Sequence, residues 1–89
     1  MGYKLEISDE LDKKFDKLSR KNKRQLEIID KKVQQILLNP YYFKSLRGHM
    51  KNIRRVHIDK SFVLTYKIFE VDKIIKLLDF DHHDKVYRK

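Results

Sequence analysis

The chain has 89 residues, a length that suits a single domain with one modest hydrophobic core. Charged residues make up 39% of the sequence, yet 40% of it is hydrophobic and recurs periodically, which argues for a folded domain and against disorder. The 22 Lys and Arg residues exceed the 13 Asp and Glu residues, and the formal net charge of +9 favours a polyanionic partner: nucleic acid, an acidic protein or an anionic membrane surface.

The sequence contains no cysteine, which excludes disulfides and thiolate zinc sites and favours a reducing cytoplasm as the setting. No apolar run approaches the roughly 18 residues of a membrane-spanning helix, and no signal peptide is visible. We therefore do not expect a membrane as a partner.

The first part of the chain has the pattern of a strand followed by two helices. Residues 3–7 alternate apolar and polar side chains, which predicts a short β-strand. Ser8 precedes two acidic residues, as at the N-terminus of a helix, and apolar residues follow at helical spacing over 11–18. After a polar turn at 19–24, a second helix is predicted, and Pro40 ends it. Its apolar stripe consists of Leu26, Ile29, Val33, Ile36 and Leu37.

Three further strands are predicted at residues 53–58, 61–71 and 73–81, which are rich in β-branched and aromatic side chains and are separated by short polar breaks. They indicate an antiparallel meander, so the order of elements is β-α-α-β-β-β. We expect a single α+β domain over residues 1–89, in which the helical hairpin packs on one face of a small twisted antiparallel sheet. The other face is left for solvent or a partner.

Basic residues cluster between residues 44 and 60, a segment with the single acidic residue Asp59. Cations that follow phosphates and rings that stack on bases are what a groove for single-stranded nucleic acid needs. Tyr41 and Tyr42 either contribute to such a groove or pack into the core under the end of the preceding helix. The lysines either bind a polyanion or only keep the protein soluble. The predicted RNA contacts are Lys44, Arg47, Lys51, Arg54, Lys60 and Phe62.

Alternation along the strand "IRRVHI" separates its two faces. Val56 and Ile58 fall on one side together with Arg54, whereas Arg55 and His57 fall on the other. If the apolar pair faces the helices, Arg55 and His57 look out together from the open face of the sheet. They are then either functional groups or ordinary solvated side chains.

Two adjacent histidines, His82 and His83, stand near the end of the chain. Neighbouring side chains of an extended segment point to opposite faces, so this pair cannot easily bind one ion, and a metal site needs at least three convergent ligands. A structural role explains either histidine. An acid–base role gains weight when His57 is considered as well, because histidine titrates near neutrality and two histidines can serve as base and acid.

RNA is cleaved without a metal when its own 2′-hydroxyl attacks the adjacent phosphate with the help of a base, an acid and a cation. We interpret His57 and His83 as the base and acid, which flank one phosphate if their strands pair. Arg55 is the candidate cation for the charge of the phosphorane. Tyr87 is a candidate for stacking on a base or hydrogen bonding to a phosphate, and this chemistry needs no cofactor.

Over nearly its whole length the chain resembles the RelE/ParE superfamily of toxins from toxin–antitoxin modules. The resemblance rests on the order of elements and on "SLRG" (45–48), "RRVHIDKSFVLTYKI" (54–68) and "DHHDKVY" (81–87). The piece "HIDKSFVLTYKI" is most similar to the YafQ-like branch, in which a histidine on this strand and a histidine four residues before the last aromatic serve cleavage.

Carried over residue by residue, the resemblance implies that His57 and His83 are catalytic, that Tyr87 is the closing aromatic and that Phe62 is the aromatic at the start of the third strand. The chain departs from the branch at Ser61, where an aspartate is often found. Members nearer RelE rely on basic residues in the groove, a role that can be filled here by Arg54, Arg55 and Lys60.

The superfamily implies a ribosome-dependent, metal-independent endoribonuclease that cleaves mRNA in the A site. It also implies partners: an acidic cognate antitoxin that wraps the toxin, the ribosome with its mRNA, and operator DNA once the antitoxin is bound. Two alternatives stay open. One is a ParE-like inhibitor of DNA gyrase without nuclease activity, and the other is a non-enzymatic nucleic-acid-binding module in which His57 and His83 are dispensable.

Overall fold

The computed structural model describes residues 2–45 and 52–87. The predicted α+β order is confirmed, with one addition at the end of the chain, where a short helix follows the last strand instead of an extended tail. The elements are β1 (Lys4–Ile7), α1 (Asp9–Lys21), α2 (Lys23–Leu38), β2 (Ile53–Ile58), β3 (Phe62–Phe69), β4 (Ile74–His82) and α3 (His83–Tyr87).

The helical hairpin is built with a connection of one residue. Ser8 caps α1 by accepting a hydrogen bond from the backbone N–H of Leu11 at 3.2 Å. At the other end, the N–H of Asn22 bonds to the carbonyl of Leu18, and its side chain accepts from the N–H of Gln25 at 3.1 Å. Asn22 therefore ends α1 and begins α2, and most of the turn predicted at residues 19–24 is helical.

The strands of the described residues form one sheet in the order β1-β4-β3-β2. The antiparallel pairings of β2 with β3 and of β3 with β4 are as predicted. β1, however, runs parallel to β4, so the sheet is mixed and the expectation of a purely antiparallel sheet is wrong at this edge. The helical hairpin carries the chain from one edge of the sheet to the other, and β2 is consequently an edge strand with β3 and β4 at the centre.

A bulge in β4 sets which of its side chains face the helices. Thr65 pairs with Asp79 and Tyr66 pairs with Leu77, which leaves Leu78 as the extra residue. Because the extra residue resets the alternation, Phe80 joins the core cluster in place of the carboxylate before it. The bulge thus places Phe80, and not Asp79, on the helix side near the end of β4.

The core lies between the helices and one face of the sheet. It is made by buried residues of α1, α2 and the strands, of which Tyr66 is the largest. The Tyr66 hydroxyl donates to the carbonyl of Pro40 at 2.6 Å, and burial raises the pKa of Tyr66 to about 12, opposed by the positive charge of Arg54. This bond fixes the end of α2 to the middle of the sheet.

A second long-range connection lies at the surface, where Glu70 joins the start of the chain and the segment after α2 to the turn between β3 and β4. Its carboxylate accepts hydrogen bonds from the hydroxyls of Tyr3 at 2.8 Å and Tyr41 at 2.7 Å, and it pairs with the ammonium of Lys73. The bonds from Lys73, Tyr41 and Tyr3 lower the pKa of Glu70 to about 2. The hydroxyl of Tyr41 is therefore engaged within the fold.

Replacing Tyr66 with Phe is expected to lower the free energy of unfolding by about 1–2 kcal/mol, because the carbonyl of Pro40 then stays buried without its donor. Urea denaturation followed by circular dichroism measures this change. Tyr42→Phe is the matched control, since the Tyr42 side chain is 75% exposed and removal of its hydroxyl leaves nothing buried. Equal losses in the two variants would contradict the role of the Tyr66 bond.

Replacing Glu70 with Gln is expected to flatten the fall of stability in acid. The pKa of Glu70 is lowered from 4.5 to about 2 on folding, so the native state binds fewer protons than the unfolded chain between these values. The stability that Glu70 adds is thus fully present above about pH 5 and is lost as the pH falls towards 2. Melting temperatures measured across this range should differ most between wild type and variant at the upper end, and a constant difference would contradict the expectation.

Candidate active site

His57 faces away from the helices, as the alternation of β2 predicts. Its neighbours Val56 and Ile58 are buried in the core, while His57 itself is exposed. The register of β2 with β3 places His57 beside Val63, which is completely buried although it lies on the face opposite α1 and α2. Because α3 contacts β3 and β4, the prediction of a fully open second face is wrong: α3 covers part of it.

His83 reaches the same face because the chain turns sharply after β4. His82 is the last residue of the strand and His83 the first of α3, and the N–H of His83 donates to the carbonyl of Ser61 at 2.7 Å. The turn brings the imidazole of His83 next to that of His57, with ring centroids 6.1 Å apart and ring planes 24° from parallel. Two solvent-accessible imidazoles therefore lie side by side at this end of the sheet.

The route by which the two histidines meet differs from the predicted one. The prediction required the strands of His57 and His83 to pair, but β3 lies between β2 and β4. It is α3 that carries His83 over the start of β3. An extended tail could not have done so, since residues after His82 would have continued along β4.

His82 belongs to a different cluster from His83. Its ring meets the edge of Phe62 with centroids 5.6 Å apart, and Phe62 stacks on Phe80 at 5.2 Å. The imidazole Nδ1 of His82 also accepts a hydrogen bond from the N–H of Asp84 at 3.3 Å in the first turn of α3. These contacts make His82 a packing and capping residue on the helix side of the sheet.

The same geometry removes Phe62 from the predicted RNA contacts. Phe62 pairs in register with Ile58 and His82, so its ring lies on the helix side, whereas His57 is on the opposite side. The ring is half-buried against the core. The Phe62 ring thus lies on the side of the sheet away from His57, and its role as an RNA contact stays a prediction.

Arg54 is likewise turned towards the helices. Its guanidinium donates to the carbonyls of Phe43 at 2.5 Å and Tyr41 at 3.3 Å and lies 5.1 Å from the centroid of the Tyr41 ring. These bonds anchor the segment after α2 against β2. The guanidinium of Arg54 is thus engaged within the fold, and its role as an RNA contact stays a prediction.

Arg55 lies on the same side of β2 as His57, two residues away, and is half-buried. Its backbone N–H donates to the carbonyl of Lys44 at 3.1 Å, which places the exposed residue Lys44 along the outer edge of β2. Lys60 is exposed in the turn between β2 and β3, next to Ser61. Arg55 is therefore on the same side of β2 as His57, while Lys44 lies along the edge of this strand and Lys60 in the turn that follows it.

Three predicted features lie at least partly outside the described residues. Arg47 and Lys51 fall in the segment 46–51, which the structure does not describe. Tyr87 is the last residue of α3, and its side chain is not described. The roles of these three residues stay predictions.

An ion-pair network that the sequence pattern did not reveal joins α1 to the end of β4. Nζ of Lys14 in α1 is 2.8 Å from Oδ1 of Asp79 and 3.5 Å from Oδ2 of Asp81. Burial raises the pKa of Asp81, but the N–H of His82 and the ammonium groups of Lys14 and Lys85 outweigh it, and the net pKa is lowered. Lys14 and Asp79 are 65 positions apart, so no local pattern links them.

The described ranges 2–45 and 52–87 contain no group of three His, Cys, Asp or Glu side chains arranged to hold a metal ion. Nor does any helix in these ranges have the length and apolar character needed to cross a membrane. The arrangement that the site does offer is two imidazoles side by side, with Arg55 on the same side of β2 as His57, groups suited to proton transfer beside an anion.

Comparison with known proteins gives the family. The sequence model described as ParE toxin of type II toxin–antitoxin system, parDE, matches residues 5–87. An uncharacterized protein of Methanosarcina mazei is 53% identical over 85 residues, which cover 96% of this chain and 99% of that protein. A Methanocaldococcus jannaschii protein, named as the candidate toxin RelE4, is 46% identical over 87 residues, covering 98% of this chain and 93% of that protein.

Solved structures show that the fold is shared more widely than the sequence. A YoeB/ParE toxin from Agrobacterium tumefaciens has a TM-score of 0.81 at 15% identity, covering 90% of this chain and 98% of that one. The isolated RelE toxin of E. coli has a TM-score of 0.79 at 20% identity, with coverage of 90% and 83%. In the E. coli DinJ–YafQ toxin–antitoxin complex, the matched chain has a TM-score of 0.76 at 18% identity, with coverage of 98% and 99%.

The family match covers both long helices and all but the first residue of the four strands, and the curated relatives align over nearly their whole length at identities far above those of the solved structures. The chain belongs to the ParE toxin family of type II toxin–antitoxin systems.

Proposed function

We propose that this toxin is a metal-independent endoribonuclease that cleaves mRNA in the A site of the ribosome. The observation that carries the proposal is the pairing of His57 and His83, whose ring centroids are 6.1 Å apart on the exposed face of the sheet. A pure binding surface needs no two titratable groups side by side, whereas transfer of two protons around one phosphate does.

In the proposed reaction one imidazole accepts the proton of the ribose 2′-hydroxyl as the 2′-oxygen attacks the adjacent phosphorus. The bond from phosphorus to the 5′-oxygen of the next nucleotide then breaks, and the other imidazole, in its protonated form, gives its proton to that oxygen. The products are a 2′,3′-cyclic phosphate and a free 5′-hydroxyl. Atoms and charge balance without a metal, a cofactor or a redox partner.

The guanidinium of Arg55 is proposed to stabilise the extra negative charge of the phosphorane, since it lies on the same side of β2 as His57. Lys44 and Lys60 are exposed, and they are proposed to hold flanking phosphates, together with Arg47 and Lys51. Tyr87, at the end of the helix that begins with His83, is proposed to complete the site by stacking on a base or by hydrogen bonding to a phosphate.

The charge of the chain supports the proposed partners. A net charge of +9 on an 89-residue chain favours ribosomal RNA and mRNA, and it equally favours an acidic antitoxin. The chain shares its fold with the matched chain of the DinJ–YafQ toxin–antitoxin complex, and we extend that partnership to this protein. The antitoxin is proposed to wrap the toxin in the cytoplasm and, once bound, to bring it to operator DNA.

Inhibition of DNA gyrase is the second candidate function, and the specific observation in its favour is the family model itself, which is that of ParE toxins. Such an inhibitor needs a docking surface but no acid–base pair. The two candidates therefore differ in what they require of His57 and His83.

His57→Ala and His83→Ala are each expected to reduce mRNA cleavage about 10²–10⁴-fold, because each removes one proton-transfer group. The measurement maps 5′ ends on ribosomes programmed with a defined mRNA in the presence of EDTA at a concentration that leaves ribosomal magnesium in place. Lys17→Ala is the control, since Lys17 is exposed on α1 and supplies no proton-transfer group to the site. All three variants are first compared with wild type by circular dichroism.

Cleavage that survives in either His57→Ala or His83→Ala, or that falls equally in Lys17→Ala, would contradict the proposed roles. Intact mRNA together with blocked DNA supercoiling would favour the gyrase inhibitor. Intact mRNA together with tight RNA binding that tolerates loss of both histidines would favour a non-enzymatic binding module.

A further inference from the structure

The position of His83 depends on the last residues of β4, and these residues have an unusual environment. β1 pairs with β4 only as far as Ile7 and Leu77, so no strand of the described residues lies beside the outer edge of β4 beyond Leu77. His83 follows this edge directly and is the first residue of α3. Any freedom at the end of β4 is therefore transmitted to the His83 ring.

Lys14 of α1 occupies this open edge. Its Nζ donates to Oδ1 of Asp79 at 2.8 Å and to the backbone carbonyl of Phe80 at 3.1 Å, and it lies 3.5 Å from Oδ2 of Asp81. A single ammonium group thus contacts three successive residues of β4. Such a set of contacts constrains the backbone in a way that an isolated surface ion pair does not.

Asp81 extends the network to α3. Its Oδ1 accepts a hydrogen bond from the N–H of His82 at 2.8 Å and lies 3.9 Å from Nζ of Lys85 in α3. The carboxylate therefore connects α1, the end of β4 and α3, on the two sides of the turn that precedes His83. Burial works against the charged form of Lys14, but the carboxylates of Asp79 and Asp81 outweigh it and raise its pKa.

We propose that Lys14 and Asp81 are positioning residues that hold the β4–α3 junction and thereby keep the imidazole of His83 beside that of His57. This inference rests on the proposed nuclease function for its effect on catalysis, but the effect on His83 itself is independent of any activity. Neither side chain is proposed to touch the RNA. They act through the backbone turn that ends in the hydrogen bond from His83 to Ser61.

Lys14→Met keeps most of the length of the side chain and removes the ammonium. We expect the maximal rate of cleavage at saturating toxin to fall about tenfold, because proton transfer depends steeply on the distance between donor and acceptor. The toxin concentration that gives half the maximal rate should change less than twofold. Lys14→Arg, which restores a cation at the edge of β4, should recover most of the loss.

Lys17→Met is the matched control, because it removes the same charge from an exposed position one turn further along α1. A general weakening of attraction to RNA would affect Lys14→Met and Lys17→Met alike and would raise the half-saturating concentration in both. That result, or an unchanged maximal rate in Lys14→Met, would overturn the positioning role.

Hydrogen exchange at the His83 amide tests the same inference without reference to activity. We expect Lys14→Met and Asp81→Asn to speed this exchange at least tenfold, while the amide of Ile75 in the core part of β4 and all amides of Lys17→Met keep their wild-type rates. Unchanged exchange at His83 would overturn the inference. If wild type cleaves no mRNA, the proposed function fails, yet the exchange rates still decide whether Lys14 and Asp81 hold His83.

Discussion

The hydrogen bond from the N–H of His83 to the carbonyl of Ser61 determines how the end of the chain is placed. It ends β4 as a strand, begins α3 and directs the backbone across the start of β3. The two histidines come from elements that are not neighbours in the sheet, so this crossing is what joins them. The functional proposal depends on it, since His57 alone, on an edge strand, would be one more exposed side chain.

The two faces of the sheet differ in what they contribute: one packs in the core, and the other carries the candidate site. On the helix side, charged and aromatic groups stabilise the fold. Arg54 donates to backbone carbonyls, the Tyr66 hydroxyl connects β3 to the end of α2 through a hydrogen bond, and Phe62 packs against Phe80. The opposite side is partly covered by α3 and carries the imidazoles of His57 and His83. A high net positive charge does not interfere with the core because the cations lie at its margins, where water and ion pairs solvate them.

Local patterns predicted the elements and the outward direction of His57, because burial on one face imposes the periods of helix and strand. They did not predict features fixed by distant contacts. The parallel pairing of β1, the hydrogen bonds of Arg54 to the carbonyls of Phe43 and Tyr41, and the edge contact of Lys14 each depend on residues outside the local pattern. The short α3 was not predicted because its first residues are also compatible with an extended strand. The hydrogen bond from the N–H of His83 to the carbonyl of Ser61, a contact between distant residues, accompanies the change from strand to helix.

The most direct measurement replaces the ribose at the cleaved A-site nucleotide with 2′-deoxyribose and compares the two mRNAs on the same ribosomes. If the 2′-hydroxyl is the nucleophile activated by the histidine pair, the deoxy mRNA stays intact while the ribose mRNA is cut to a 2′,3′-cyclic phosphate and a 5′-hydroxyl. Equal cleavage of both mRNAs, or a product with a 5′-phosphate, would contradict the account, because either result requires water or another external nucleophile.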